Sequence, residues 1–259
     1  MGTTREESIL EQFAREPGRS VHAIVRTPAG TWTSGVHDDD PRPAASLLKL
    51  PLAMALEPLL PSLPTARVGD LLTSDERDSV LCSLDPDRTL SPAEMLRLML
   101  SASDNACARW ALEIVGVSAV VAVCERAGAT RTAMSQDNDH ALRGTTTARD
   151  AIRLLRAATD EPAVPLSAFA LRHSIRNSRI PLGATDDDVV IAHKTGTLGG
   201  VASDVAIIDC AGGSLSIAFL TEQQHDTLVT GYDMGICTRT LLEAFGLRAR
   251  TTMSAMAGA

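Results

Sequence analysis

Ser46-Leu47-Leu48-Lys49 places a hydroxyl and an amine one helical turn apart at the start of an apolar run. In a helix that spacing puts both groups on one face. The N-terminal end of a helix adds partial positive potential and backbone N–H donors beside the hydroxyl. A lysine held among Leu50, Leu52 and Met54 would lose proton affinity through desolvation, which is how a lysine becomes a base near neutral pH. A serine hydroxyl is a weak nucleophile until such a neighbour takes its proton. The chemistry open to this pair is attack on a carbonyl carbon. The same pair also fits a helix cap followed by a lysine stem lying along apolar surface.

Ser103-Asp104-Asn105 falls between a helix ending near Leu100 and another starting near Ala106. Small polar residues between two helices commonly cap them. In a site, Ser103 would relay a proton to a leaving group and Asn105 would donate to a substrate carbonyl. His193-Lys194-Thr195-Gly196-Thr197 closes a predicted strand, where a lysine is commonly a solvated edge charge. In a site, Lys194 would pair with a substrate carboxylate and with Ser103, and Thr195 would contact that carboxylate. Gly196 would let the backbone approach, and the Thr197 and Ser46 N–H groups would hold an oxyanion.

These three segments need elements that bring them together. Residues 5–16 read as a helix with Ile9, Leu10 and Phe13 on one face, stopped by Pro17-Gly18. Residues 21–26 and 31–36 read as two strands joined by the turn Thr27-Pro28-Ala29-Gly30. The loop from His37 to Pro43, with Asp38, Asp39 and Asp40, reads as a solvated turn. Residues 46–56 read as one apolar helix with Pro51 in its first turns. Ser91-Pro92-Ala93-Glu94 opens a helix with a capping box. Helices over 106–115 and 117–127, the second ended by Gly128, and over 147–158, capped by Thr146 or Thr147, complete the middle. Strands follow over 189–195, 203–208 and 214–220, with Gly212-Gly213 as a turn, and residues 231–245 form a last helix. Strands at both ends of a chain tend to meet in one antiparallel sheet, leaving the helical middle as a second lobe. The expected lobes are 1–45 with 186–259, and 46–185, within one structural unit.

With Ser-x-x-Lys, Ser-Asp-Asn and Lys-Thr-Gly in this order and each in the expected kind of element, the sequence resembles the class A β-lactamase-like, penicillin-recognising serine hydrolases. The likeness runs from about Gly18 to Leu247 and includes Ser203-Asp204-Val205-Ala206-Ile207 and Gly144-Thr145-Thr146-Thr147-Ala148-Arg149-Asp150. It implies an α/β (α+β) fold of the β-lactamase and transpeptidase kind: a five-stranded antiparallel sheet flanked by helices, plus an all-helical lobe carrying Ser46. It also implies an acyl-enzyme on Ser46, with Lys49, Ser103 and Lys194 as the other catalytic groups. Asn105, Thr195, Gly196 and Thr197 would hold a small, carboxylate-bearing substrate.

One departure stands out. Efficient class A enzymes carry, after the Ser-Asp-Asn element, a Glu followed three residues later by Leu-Asn, which positions the deacylating water. Met134 to Arg143 contains no such pattern, and no glutamate occurs from Arg126 to Asp160. An acyl-enzyme should then persist unless another base or acceptor resolves it. Asp137, Asp139 and His140 are the available substitutes for deacylation, His140 having a suitable intrinsic pKa; ordinary turn chemistry is their other reading. Three functions follow: a serine hydrolase acting on β-lactam-like amides or esters, an intracellular esterase or biosynthetic acyltransferase on the same fold, or a non-catalytic sensor that binds a β-lactam or peptide.

The bulk composition narrows the partners. The 259 residues carry a net charge of −8 with one Tyr, two Trp and four Phe, which disfavours a surface that tracks phosphates or stacks bases. The histidines His22, His37, His173, His193 and His225 show no metal-ligand spacing, and no glycine loop suits a phosphate, so no metal or cofactor is expected. The first residues lack an apolar h-region, which predicts a cytoplasmic setting, a trimmed leader being the alternative. No window is expected to reach the apolar length of a membrane span. Five cysteines without C-x-x-C spacing fit reduced, buried thiols.

Overall fold

The computed structural model describes residues 3–74, 78–136, 142–160, 162, 164–186 and 188–247. Helix α1 (Arg5–Ala14) leads into the hairpin β1 (Arg19–Thr27) and β2 (Gly30–Val36), followed by β3 (Arg42–Pro43). Next come α2 (Lys49–Leu56), the short pieces β4 (Ala66–Arg67), α3 (Val68–Leu71) and β5 (Thr89–Leu90), then α4 (Pro92–Ser101) and α5 (Asn105–Arg126). The ribbon β6 (Ala133–Gln136) and β7 (Leu142–Thr146) precedes α6 (Ala148–Asp160) and α7 (Pro165–Arg172). Strands β8 (Val190–Leu198), β9 (Val201–Cys210) and β10 (Gly213–Thr221) and helix α8 (Thr227–Ala244) are the last of the described elements.

The fold is α+β, as expected. Five strands pair antiparallel in the order β2-β1-β10-β9-β8. Strand β10 explains how the sheet is held. Ile217 and Phe219 join a core with Leu10, Phe13, Val21 and Leu241, between the sheet, α1 and α8. Ala218 and Leu220 join the other core, with Leu50, Leu52, Met95, Leu96 and Leu155 from the helical middle. Side chains alternate faces along a strand, so a strand buried on both faces reads as one apolar run. Each such large side chain contributes about 1.5–3 kcal/mol by burial. Ile180 and Ala184 pack into the α8 side as well. Strand β8 lies at the edge of the sheet.

Local signals hold where the chain obeys them. Ser91 Oγ accepts from Glu94 N at 3.3 Å and Glu94 Oε2 accepts from Ser91 N at 2.8 Å, closing the capping box of α4. The two helices expected on either side of Gly116 meet there: Gly116 has φ 70° and ψ 159° inside α5. Thr147 Oγ1 accepts from Asp150 N at 3.2 Å, making Thr147 the cap of α6. Helix α8 begins earlier than expected because the Asp226 carboxylate accepts from Leu228 N and Val229 N.

Four expectations need correction. The single helix over 46–56 is a 3-10 turn, Ala45–Leu48, running directly into α2; Pro51 cannot donate to the carbonyl four residues back, and the chain before it closes tighter bonds such as Leu47 N to Ala44 O at 3.1 Å. Helix α5 does reach the length and apolar character of a membrane span, with mean hydropathy 1.7, and its Ala106, Cys107, Ala111 and Leu112 lie in the helical core. The loop after β2 is not wholly solvated: Asp38 Oδ2 lies 2.8 Å from both Arg149 Nη2 and His22 Nδ1. All five cysteines are free, but only Cys107, Cys124 and Cys237 are buried, Cys82 being exposed.

Candidate active site

The turn Ala45–Leu48 lies directly against β8, and Gly196 makes that approach possible. A Cβ on Gly196 would stand 3.0 Å from Ala44 O and 3.3 Å from Ala45 Cβ. Ala45 takes φ 48°, a conformation rare for a residue with a side chain. On the other flank, Ala44 N donates to Gly144 O at 3.0 Å, tying the turn to β7. Ser46 is thus gripped between β8 and β7 at the head of a buried helix.

Ser103 occupies the link between α4 and α5 with φ 62°. The buried Asp104 carboxylate fixes that link: its Oδ1 accepts from Cys107 N at 2.9 Å, and its Oδ2 accepts from Ser79 Oγ at 2.6 Å and Val80 N at 2.8 Å. Asp104 therefore caps α5 and fastens the Ser79–Val80 segment beside it. The capping reading of Ser-Asp-Asn is right for Asp104, while Ser103 and Asn105 face other partners.

Those partners are two buried lysines. Lys49, 6% exposed, donates to Asn105 Oδ1 at 2.7 Å, to Ser103 Oγ at 3.3 Å and to the Ser103 carbonyl. Lys194, 1% exposed, donates to Ser103 Oγ at 2.9 Å and to Thr195 O at 3.0 Å. Burial holds the Lys194 amine well below the usual lysine value, and the neighbouring Lys49 charge pushes it down further, against the pull of Asp204. Both amines thus share the half-buried Ser103 hydroxyl as acceptor.

Strand β8 is backed by Arg179, which sequence reasoning did not single out. Its Nη1 donates to Gly196 O at 2.8 Å and to Ser203 O, and its Nη2 donates to Thr197 Oγ1 at 2.7 Å. Asp204 accepts from Ile180 N at 3.2 Å and lies 3.1 Å from His193 Nδ1. His193 is buried, with Nε2 3.1 Å from Asn177 Oδ1. No local pattern announces Arg179; only the pairing of β8 with β9 brings Gly196 and Ser203 to one guanidinium.

Ser46, Ser103, Asn105, Thr195 and Thr197 open onto one cleft of about 460 Å³. Lys49 and Lys194 lie behind it, and Gly196 forms its seam with the 3-10 turn. Asp78 and Arg176, also missed in the sequence, line the same cleft. Eight expected site residues therefore meet. Asp137, Asp139 and His140, the candidates for deacylation, lie outside the described residues. The arrangement can offer a hydroxyl, two amines that exchange protons through a second hydroxyl, and an edge strand with backbone donors unpaired by the sheet.

A family model described as the Beta-lactamase enzyme family matches residues 4–236. Among solved structures, a β-lactamase from Sphaerobacter thermophilus DSM 20745 is similar at 23% identity and TM-score 0.79, covering 96% of this chain and 100% of that one. PBP-A is similar at 20% identity and TM-score 0.77, covering 93% and 95%. A single-residue variant of PBP-A, solved as an acyl-enzyme complex with penicillin G, is similar at 20% identity and TM-score 0.77, covering 93% and 96%. At these identities the structural likeness shows the fold. No curated protein matches the chain in sequence.

Proposed function

The chain belongs to the β-lactamase enzyme family and has the fold of its serine hydrolases, and on that premise we propose that it works through an acyl-enzyme on Ser46, formed from β-lactam-like amides or esters. The observation that carries this reading is the convergence of Lys49 and Lys194 on the Ser103 hydroxyl, in the cleft that Ser46 lines.

Acylation starts with Lys49 as the neutral amine. Two of its N–H groups can serve the Ser103 carbonyl and Asn105 Oδ1, which leaves its lone pair for the Ser46 proton. As that proton moves to Lys49 Nζ, Ser46 Oγ forms the bond to the carbonyl carbon. The carbonyl oxygen takes up the negative charge between the N–H groups of Ser46 and Thr197. The bond to the leaving nitrogen or oxygen then breaks, and that atom takes its proton from Ser103 Oγ. Ser103 is reprotonated through the amines that donate to it. Lys194 and Thr195 attract a substrate carboxylate, and Asn105 orients the acyl group. The acyl-enzyme of the PBP-A variant with penicillin G makes the same adduct the natural one to seek here.

The absence of glutamate from Arg126 to Asp160 favours a persistent acyl-enzyme, resolved slowly by water or by another acceptor such as an alcohol or amine. Labelling with a fluorescent penicillin and with a fluorophosphonate tests the nucleophile. The parent chain should label with one of them and the Ser46→Ala chain with neither. Undiminished labelling of the Ser46→Ala chain would remove Ser46 from this role.

A further inference from the structure

The cleft over Ser46 carries both signs of charge, and both are fastened beside Ser103. On one side of Ser103 in the chain, Ala102 O accepts from Arg176 Nε at 3.1 Å. On the other, the Asp104 carboxylate holds Ser79 Oγ and Val80 N, the two residues that follow Asp78. Asp78 and Arg176 both line the cleft and both are exposed to solvent. Behind them lie the amines of Lys49 and Lys194 and the guanidinium of Arg179.

An exposed aspartate is by itself unremarkable. Asp78 differs in three respects. It stands in the concavity that holds the nucleophile. The chain next to it is clamped to a carboxylate only 1% exposed, so its backbone is part of a fixed wall. Among the described residues, no cation forms an ion pair with it. A cleft with a cationic base and one fixed anion attracts the carboxylate end of a ligand, while that anion repels any second negative group and attracts a positive one.

We propose that the compounds recognised here are zwitterions, carrying a protonated amine that pairs with Asp78 as well as a carboxylate that pairs with the cationic side of the cleft. This rests on the reading of Ser46 as nucleophile and adds the chemical class of its substrate. Arg176, its Nε committed to Ala102, presents its Nη groups to the carboxylate along with Lys194. A substrate of this class is peptide-like or aminoacyl-like, with both charges retained at neutral pH.

The test uses ampicillin and benzylpenicillin, which differ by one amino group on the acyl side chain. Calorimetric affinities are measured on the full-length Ser46→Ala chain, so binding is read without acylation. The amino compound should bind about fivefold more tightly, the scale of one partly exposed charge pair. Adding Asp78→Asn should bring the ratio close to one, Asp78→Lys should invert it, and high salt should narrow it. Because Asp78 is exposed, all three chains should melt alike. Equal affinities in the Ser46→Ala chain, a ratio that survives Asp78→Asn, or no binding of either compound at millimolar concentration would overturn the assignment. The two readings separate in the parent chain. A mass adduct formed equally fast from both compounds keeps Ser46 and discards Asp78; an amine preference in binding with no adduct from either does the reverse.

Discussion

The Lys194 amine donates to the Ser103 hydroxyl at 2.9 Å, joining the edge strand of the sheet to the link between α4 and α5. Lys49 reaches the same oxygen from α2 at 3.3 Å. One hydroxyl thus serves two buried amines, and a proton can pass between them through it. Its removal should be felt in both chemistry and stability.

Replacing Ser103 by Ala should slow acylation by roughly 10²–10⁴-fold, the usual weight of a positioned proton relay. It should also cost about 1–3 kcal/mol, because two buried donors lose an acceptor. Single-turnover kinetics with a chromogenic β-lactam and denaturant unfolding read the two effects separately. Unchanged acylation in a folded Ser103→Ala chain would take Ser103 out of the relay.

The Lys194 amine gives a pH dependence with a definite sign. Burial and the Lys49 charge hold it well below the ordinary value of 10.5. Between the folded and unfolded values the unfolded chain binds more protons, so the parent gains stability as pH rises through that window. A Lys194→Met chain lacks this dependence. Its stability relative to the parent should be most favourable on the acid side of the window and should decline as pH climbs toward 10.5. Urea unfolding of both chains from about pH 6 to about pH 10 checks this. A difference that is flat, or that grows with pH, would mean the folded amine is not depressed.

Gly196→Ala should act on Ser46 without touching a reactive group. The added methyl would stand 3.0 Å from Ala44 O and 3.3 Å from Leu47 Cγ, pushing the turn off β8. Overpacking of this kind costs about 1–3 kcal/mol, while a displaced nucleophile can lose about 10²-fold in rate. A stable Gly196→Ala chain that acylates at the parent rate would show that this contact does not set the position of Ser46.

Much of this was legible beforehand, for a physical reason. Ser91, Glu94 and Thr147 act through bonds to residues a few positions away, and Gly116 through its own backbone conformation, so local rules find them. The triplets that begin at Ser46, Ser103 and Lys194 were legible through residue type and spacing, the first two just ahead of helices and the third within β8. The tight turn at Ala45–Leu48 was not, because its shape is set by β8, about 150 residues away, through Gly196. Arg179 and Asp78 were missed on the same grounds: what makes them matter is the strand pair β8–β9 and the Asp104 clamp. Asp226 was within reach of the rules, since an aspartate directly before Thr227–Leu228 is a regular start signal.

Turnover should reflect the stretch without glutamate between Arg126 and Asp160. Mixing with nitrocefin should give a burst of about one equivalent followed by a slow phase, as expected when deacylation limits the rate. A fast, linear trace with no burst would show that a competent deacylating base exists elsewhere in the site.

The most direct measurement is the intact mass of the parent and Ser46→Ala chains, followed over time with a panel of β-lactams and activated esters. The parent should gain the mass of one acyl group, located by peptide mapping to the segment containing Ser46, and hold it for minutes or longer; the Ser46→Ala chain should gain nothing. A parent that never gains mass, or an adduct mapped to another residue, would contradict the account.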